Sequence, residues 1–245
     1  MDNALYVGLS RQMTLRRQLD IVANNIANAN TTGFKTEDLM VRTEQAKPAK
    51  TLDGSSPVKF VLDTGVARDF TQGAMTKTDG DFDLAIEGKG FFKIQTAAGE
   101  RYTRDGRFTT NPEGQLVTQS GYPVMDEGGG QITIDPQLGP VMVGKDGIVS
   151  QGAVRVGKIG LVRPDDMSTF AKDGDNLYRN TTNTTPQPVT DAQIHQGMLE
   201  ASNVNSVIEI TKLIEIQRAY EGVAKMMDNT SELSRTAVER LGKVN

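Results

Sequence analysis

Near its C-terminus the chain reads LIEIQRAYEGVAKMMDNTSELSRTAVERL, residues 213–241. Apolar and small residues recur there at alternating spacings of three and four over four heptads. This spacing is typical of a helix that packs along a supercoiled seam. A helix over residues 198–241 would be roughly 65 Å long, and a lone helix with an exposed seam is marginally stable. The pattern therefore predicts a second helix as its partner. The seam consists of Leu213, Ile216, Tyr220, Val223, Met227, Thr230, Ser234, Ala237 and Leu241.

The N-terminal segment is the natural partner. A second 3–4 pattern is interrupted by Arg16 and runs into VANNIANANTTGFK, residues 22–35. Because asparagine and glycine tolerate the left-handed conformation at helix ends, Asn28, Asn30 and Gly33 predict a helix exit. Packing of both helices onto one globular domain remains the alternative to a seam that joins subunits. The positions of the pattern are Leu5, Leu9, Gln12, Leu19, Ala23 and Ile26.

The middle of the chain predicts short strands joined by tight turns. All nine prolines lie between Pro48 and Pro188, and 20 of the 25 glycines lie between residues 54 and 174. Asp105-Gly106 is typical of a type I′ hairpin, and Asn111 to Gly114 and Ser120-Gly121 predict further turns. Strands are expected over 82–96, 100–125, 131–134, 147–150 and 156–163, and connectors over 44–57 and 179–190. The predicted class is α+β, with paired N- and C-terminal coiled-coil helices enclosing a discontinuous central all-β domain.

Composition removes several classes of function. The chain has no cysteine, which excludes thiolate chemistry, and its one histidine, His195, excludes a multi-histidine metal site within one chain. Its 27 basic and 31 acidic residues give a net charge of −4, so nucleic acid is not an expected partner. The first residues lack the apolar run of a secretory signal, and no stretch reaches the roughly 20 apolar residues of a membrane helix.

No motif supports catalysis or cofactor binding. Asp79, Asp81 and Asp83 begin like a calcium loop, but Leu84 and Gly90 occupy the positions that need glycine and glutamate. We therefore expect no enzyme activity, cofactor, metal or small-molecule substrate. Two alternatives remain open: a secreted cell-wall glycan hydrolase, which needs only two suitably spaced carboxylates, and a fibre or adhesin module.

Three segments resemble signatures of the bacterial flagellar axial proteins, the rod and hook family. They are LDIVANNIANANTTGFK at 19–35, GMLEASNVNSVIEITKLIEIQRAYEGVAKMM at 197–227, and the stretch from DLAIEGKGFFKIQT to YTRDGRFTTNPEGQLVTQSGYPVM at 83–125. Along the chain, the segments at 19–35, 83–125 and 197–227 follow one another in the order that is found in the family. The chain length favours a rod member over the longer hook proteins.

The resemblance implies a structural subunit of the flagellar proximal rod, with a distal rod subunit of the same family as the alternative. The rod is the family's periplasmic drive shaft, which transmits torque. Its subunits are exported by the type III apparatus without a cleavable signal and polymerise through their terminal helices. The implied partners are other rod proteins and copies of this chain, together with rod-base, rod-cap and ring proteins.

The resemblance also implies a division of the chain and an assembly interface. We expect an axial helix and its exit at 1–35, an extended connector at 36–75, a β-rich outer domain at 76–185, and a connector and axial helix at 186–245. Asn24 and Asn25 lie inside the helix pattern, and we expect them to hydrogen-bond across subunit contacts and fix the register; solvent is the alternative. The expected interface residues are Leu5, Leu9, Leu19, Asn24, Asn25, Ile26, Asn28, Leu213, Ile216, Tyr220, Val223 and Met227.

Overall fold

The computed structural model describes residues 2–45, 59–182 and 184–242. The chain forms two compact units, each built from segments that are not contiguous in sequence. Unit 1 contains residues 1–27, 37–68 and 205–245, and unit 2 contains residues 28–36 and 69–204. The predicted order, with a helix at each end and a β-rich middle, is confirmed, whereas supercoiling of the helices stays a prediction.

Unit 1 consists of two long helices and an antiparallel β-ribbon. The ribbon lies in the segment 36–75, where an extended connector was expected. Extended segments satisfy their backbone N–H and C=O groups by pairing, and here the strands pair with each other from Glu37 opposite Arg68 onward. Most of the connector expected at 44–57 lies outside the described residues. The elements are α1 (Asp2–Ala27), β1 (Glu37–Gln45), β2 (Lys59–Arg68) and α2 (Ser206–Leu241).

The helix exit occurs where the asparagine run predicts it, and Gly33 alone of the three residues named for it is left-handed. α1 ends at Ala27, and the Thr31 N–H donates to the Asn28 carbonyl at 3.1 Å. Neither Asn28 nor Asn30 has a positive φ; Gly33 does, at 68°. A Cβ on Gly33 would lie 2.4 Å from the carbonyl carbon of Arg104, so both the conformation and the close approach require glycine.

Unit 2 is an all-antiparallel β-domain. Its main sheet has six strands in the order β13-β14-β6-β5-β12-β15, beside a three-stranded sheet β11-β10-β9 and the pairs β16-β4, β17-β3 and β7-β8. The strands are β3 (Met75–Lys77), β4 (Leu84–Glu87), β5 (Phe91–Thr96), β6 (Gly99–Thr103), β7 (Phe108–Thr110), β8 (Leu116–Thr118), β9 (Val141–Val143), β10 (Ile148–Gln151), β11 (Val154–Lys158), β12 (Leu161–Arg163), β13 (Phe170–Lys172), β14 (Leu177–Asn180), β15 (Gln187–Pro188), β16 (Gln193–Gln196) and β17 (Met198–Glu200). Two 3₁₀ turns span Pro136–Leu138 and Met167–Thr169.

Strand β5 places a hydrophobic cluster on each of its faces. Successive side chains of a strand point to opposite faces, so Phe92 and Ile94 enter the large cluster while Phe91 enters the other. The second cluster is aromatic: the Phe91 ring meets those of Phe170 and Tyr178 edge to face, with centroids 5.0 and 5.6 Å apart. Both faces of this central strand are therefore buried.

The hairpin predicted at Asp105-Gly106 is wrong. Neither residue has a positive φ, and β6 pairs with β5 and β14 rather than with β7. Gly106 lies against β4, where a Cβ would be 1.6 Å from the Leu84 carbonyl oxygen, so the glycine allows a close backbone approach. The predicted turns at 111–114 and 120–121 are confirmed, as is a strand at 147–150. The segment 156–163 is not one strand, because it is divided between β11 and β12, which belong to different sheets, and 131–134 forms only isolated bridges.

Candidate assembly surface

The two helices of unit 1 pack against each other in antiparallel directions. Asn25, near the end of α1, contacts Glu209 in the first turn of α2. Gly8, near the start of α1, faces Met227 so closely that a Cβ there would lie 2.8 Å from the Met227 Cγ. The two contacts are separated by nearly the same number of residues on each helix, so the pair keeps one register along its length.

On α2 the sequence-predicted seam coincides with the less exposed face. Leu213, Ile216, Tyr220, Val223 and Met227 are all half-buried, whereas most of the residues between them are exposed. A less exposed face of this kind is typical of a helix that packs one side against a neighbouring helix. In the isolated chain that neighbour is α1.

On α1 the buried positions differ from the predicted seam. Leu15 and Val22 are the buried apolar residues, while Leu9 is 46% exposed and Ala23 is also exposed. The residues at Leu5, Leu19 and Ile26 are half-buried. Leu9 is thus available to a partner outside the chain rather than to α2.

Asn25 is buried and connects elements within the chain. It therefore differs from both expectations for it, which were hydrogen bonds across a subunit contact and exposure to solvent. Its side chain is 0% exposed. Its Nδ2 donates to Glu209 Oε2 at 2.9 Å and to the Glu37 carbonyl at 2.8 Å, while its Oδ1 accepts from the Glu37 N–H at 3.1 Å. Both amide donors are therefore used inside unit 1, and none remains for a neighbouring subunit.

The other two asparagines of the expected interface lie elsewhere. Asn24 is exposed on α1, where a neighbouring subunit could reach it. Asn28 is half-buried in the exit, and its Oδ1 accepts from the Thr31 hydroxyl at 3.1 Å. Their part in assembly stays a prediction.

Unit 2 contains a buried ionic cluster that sequence reasoning missed. Lys35 Nζ donates to Glu200 Oε1 at 2.5 Å and to the Thr71 carbonyl at 2.7 Å. Arg104 Nη1 donates to Glu200 Oε2 at 3.0 Å, and the Gly73 N–H donates to Oε1 at 2.9 Å. The side chains of Lys35 and Glu200 are fully buried and that of Arg104 nearly so. Burial lowers the pKa of Lys35, and Glu200 offsets part of that shift.

Asn203 closes the same region with five hydrogen bonds from its side chain. Its Oδ1 accepts from the Thr36 N–H at 2.8 Å and from the Thr36 hydroxyl at 2.9 Å. Its Nδ2 donates to the Asp69 carbonyl at 2.8 Å and to Thr71, at 3.2 Å from both the carbonyl and the hydroxyl oxygen. Asn203 therefore ties residues 28–36 and the segment after residue 69 to the strand-to-helix region of unit 2.

Each of the three signature segments contributes one charge to the ionic cluster. Lys35 ends the N-terminal segment, Arg104 belongs to the central one, and Glu200 belongs to the C-terminal one. Nothing in the local pattern distinguishes a buried lysine from a surface lysine. Only the co-occurrence of the three segments could have suggested that they meet.

The described residues offer no site for a metal and no membrane span. Within 2–45, 59–182 and 184–242, His, Asp and Glu side chains form no group of three or more that could hold a metal ion. Across the same residues no helix is both long and apolar enough to traverse a bilayer.

Unit 2 has an open cavity of about 490 Å³ beside the turn at residues 110–114, with Asp81, Glu113 and Asp135 among its lining residues.

Comparison with known families gives three matches along the chain. Residues 5–35 match the family described as "Flagella basal body rod protein". Residues 85–151 match "Flagellar hook protein FlgE/F/G D1 domain", and residues 195–240 match "Flagellar basal body rod FlgEFG protein C-terminal". The matches include α1, much of unit 2, and α2.

Curated relatives match over nearly the whole chain. The flagellar basal-body rod protein FlgF of Caulobacter vibrioides is 88% identical over 245 residues, which is 100% of both chains. FlgF of Mesorhizobium japonicum is 41% identical over 99% of both. FlgG of Caulobacter vibrioides is 35% identical over 94% of this chain and 96% of its own. The chain therefore belongs to the flagellar basal-body rod protein family.

Proposed function

We propose that the protein is a structural subunit of the flagellar basal-body rod and that it polymerises through α1 and α2. The structural role follows from its family, which is not a family of enzymes, so the hydrolase and adhesin alternatives are set aside. The observation that supports polymerisation is the apolar surface left on the helices after they have packed together. Large exposed side chains of this kind indicate surfaces that other proteins cover. They are Tyr6, Leu9, Met13, Val207, Ile208, Ile210, Ile214, Met226, Leu233 and Val238.

The finer assignment is to the proximal rod. Its support is the identity of 88% to a FlgF against 35% to the FlgG of the same organism. In this proposal the chain is exported without a cleavable signal and joins the periplasmic drive shaft. Its partners are copies of itself and other rod proteins, and then rod-base, rod-cap and ring proteins.

Electron microscopy of basal bodies tests the proposal. A deletion strain is complemented with the intact chain or with chains that lack residues 1–35 or 198–245. We expect rods only with the intact chain, because both terminal helices supply the axial contacts. Normal rods in the uncomplemented deletion strain would remove the protein from the axis.

Charge substitutions distinguish residues that pack α2 within the chain from residues that contact another subunit. Leu213→Asp or Ile216→Asp should abolish swimming, since each places a carboxylate on the half-buried face of α2. Val207→Asp should do so without lowering the stability of the chain, because Val207 is 74% exposed. Ser231→Asp adds the same charge at an exposed position of the same helix and serves as the control. Normal swimming of all three apolar-site variants would contradict assembly through α2.

A further inference from the structure

Unit 1 contains a small groove bounded by α1, β1 and α2. It has a volume of about 220 Å³. Its apolar lining comes from Ile21 and Val22 of α1, Leu39 of β1 and Ile216 of α2. Ile208 is 53% exposed and lies four residues before Lys212 on the α2 face that borders the groove. The groove is thus an apolar depression with further uncovered apolar surface beside it.

The rim of this groove is acidic. Asp38 and Glu215 border it, and both are exposed. Lys212 is also at the rim, but its Nζ is already shared between Asp38 Oδ1 at 3.1 Å and Glu209 Oε1 at 2.8 Å. An occupant that carries positive charge next to an apolar surface would complement the rim.

Such a surface exists on the first half of α1. Tyr6, Leu9 and Met13 recur at spacings of three and four on one helical face and are 62%, 46% and 66% exposed. This stripe is followed on the same side of the helix by the exposed Arg16. Arg17 is exposed beside it, but its guanidinium pairs with Asp63 of β2 in the same chain. It therefore offers apolar side chains flanked by positive charge.

The stripe cannot reach the groove of its own chain. Leu9 and Ile21 lie on the same helix, about 18 Å apart along its axis at about 1.5 Å per residue. A contact between a stripe and a groove must therefore join two chains. Because the two surfaces differ, the contact is heterologous, and repetition of a heterologous contact gives an open polymer unless the rotation closes a ring.

We propose that the stripe Tyr6-Leu9-Met13 of one copy of this chain docks in the groove of Ile21, Leu39 and Ile216 of the next copy, with Arg16 beside Asp38 and Glu215. This inference rests on the proposed role as a polymerising rod subunit and names the two surfaces that meet. The occupant is a second copy of this chain.

Cysteine cross-linking tests the contact directly, since the natural chain has no cysteine. Leu9→Cys and Leu39→Cys are made in separate full-length chains and as a double variant, and isolated rods are treated with a short bis-maleimide. We expect cross-linked dimers in rods that contain both single variants. Rods that contain the double variant should give a ladder of higher oligomers. Leu9→Cys mixed with Val154→Cys, an exposed position in unit 2, is the control and should give no dimer above background.

The outcomes distinguish this inference from the proposed function. Rods that contain the chain but give no cross-link between residues 9 and 39 would overturn the docking while leaving the structural role intact. Cross-linking of residue 9 to a different protein, or only to residue 9 of another copy, would also overturn it. Absence of the chain from rods would overturn the proposed function, and with it the docking.

Charge reversal supplies a second measurement. Arg16→Glu should lower the cross-linking yield by about two- to fivefold, the range expected for an exposed ion pair. Glu215→Lys in the chain that carries Leu39→Cys should restore the yield. A yield that neither variant changes would overturn the charge pairing.

Discussion

Asn25 shows how one amide organises unit 1. Asparagine is a poor residue for a helix interior because its side chain competes for backbone hydrogen bonds. Here it instead satisfies the backbone N–H and C=O of Glu37 and binds the carboxylate of Glu209. One side chain therefore joins α1, β1 and α2.

Removal of this amide should destabilise unit 1. In Asn25→Ala the partner groups on Glu37 and Glu209 lose their hydrogen bonds, and we expect the free energy of unfolding to fall by about 3 kcal/mol. Urea unfolding followed by far-ultraviolet circular dichroism measures it. Arg16→Ala, at an exposed position of the same helix, should change it by less than about 0.5 kcal/mol. Equal effects of the two variants would show that Asn25 is not the connector.

The ionic cluster of unit 2 depends on its single carboxylate. Glu200→Gln leaves Lys35 and Arg104 buried without a counter-charge, so we expect a loss of about 3–5 kcal/mol in the free energy of unfolding. Near-ultraviolet circular dichroism of the tyrosine-containing core follows the transition. Glu113→Gln, at an exposed position, is the control and should leave the midpoint unchanged.

The same cluster predicts a pH dependence of stability. Burial lowers the pKa of Lys35 below its ordinary value of 10.5, so the unfolded chain holds this proton more tightly than the folded one. The free energy of unfolding should therefore rise with pH between the two pKa values. Burial also raises the pKa of Tyr102 to about 12, which lowers stability above pH about 10, so the rise is measured below that pH.

Lys35→Met should abolish this rise, because the variant has no proton to release. Urea midpoints measured from neutral pH toward the ordinary tyrosine pKa would show it. Lys145→Met, at an exposed position, should keep the slope of the natural chain. A slope that persists in Lys35→Met would assign the rise to another group.

At the scale of elements, the glycines of the two helices have different roles. Gly8 of α1 faces Met227 of α2, whereas a Cβ at Gly222 of α2 would meet no described residue within 4 Å. Glycine in a helix interior costs about 1 kcal/mol relative to alanine. Replacement of glycine by alanine therefore gains helix stability. At Gly8 the close packing of the helices opposes this gain, while at Gly222 none of the residues that the structure describes opposes it.

Alanine at the two positions should separate these effects. Gly222→Ala should raise the free energy of unfolding of unit 1 by about 1 kcal/mol. Gly8→Ala should gain less, because the Met227 side chain must move. Thermal unfolding of both variants measures the difference. A larger gain at Gly8 than at Gly222 would contradict the observed packing of α1 on α2.

At the scale of the whole molecule, the chain passes between its two compact units several times. Unit 2 takes in residues 28–36 and continues to residue 204, so its boundaries differ from the expected outer domain at 76–185. The difference has a physical basis. Lys35 and Glu200 lie outside 76–185, and so do β16 and β17, which pair with β4 and β3.

Fragments of the chain test this division. The fragment 28–204 should fold cooperatively, because it keeps both hydrophobic clusters and all three charges of the ionic cluster. The fragment 37–204 lacks Lys35 and the Gly33 N–H that donates to the Glu200 carbonyl, so its urea midpoint should be lower. The fragment 76–185 should not fold. Equal stability of all three would favour the boundaries expected from sequence.

Periodicity and turn chemistry by themselves determined the helical ends, the β-rich middle and the exit of α1. Each of these follows from interactions among residues close in sequence. The same local reasoning failed at Asp105-Gly106, because that glycine is needed for the approach of β4 rather than for a hairpin. A dipeptide cannot reveal which distant backbone will lie against it.

The tertiary structure alone decided which polar groups are buried and with what partners. Lys35 and Glu200 are 165 residues apart, and Asn25 and Glu209 are 184 apart. No local period relates such residues, since their proximity results from the packing of whole elements. The sequence by itself determined the packing face of α2 and the family, because apolar spacing and signature motifs are local. Only the fold decided that Asn25 is an internal connector, that Lys35 is buried, and that Leu9 remains exposed for a partner.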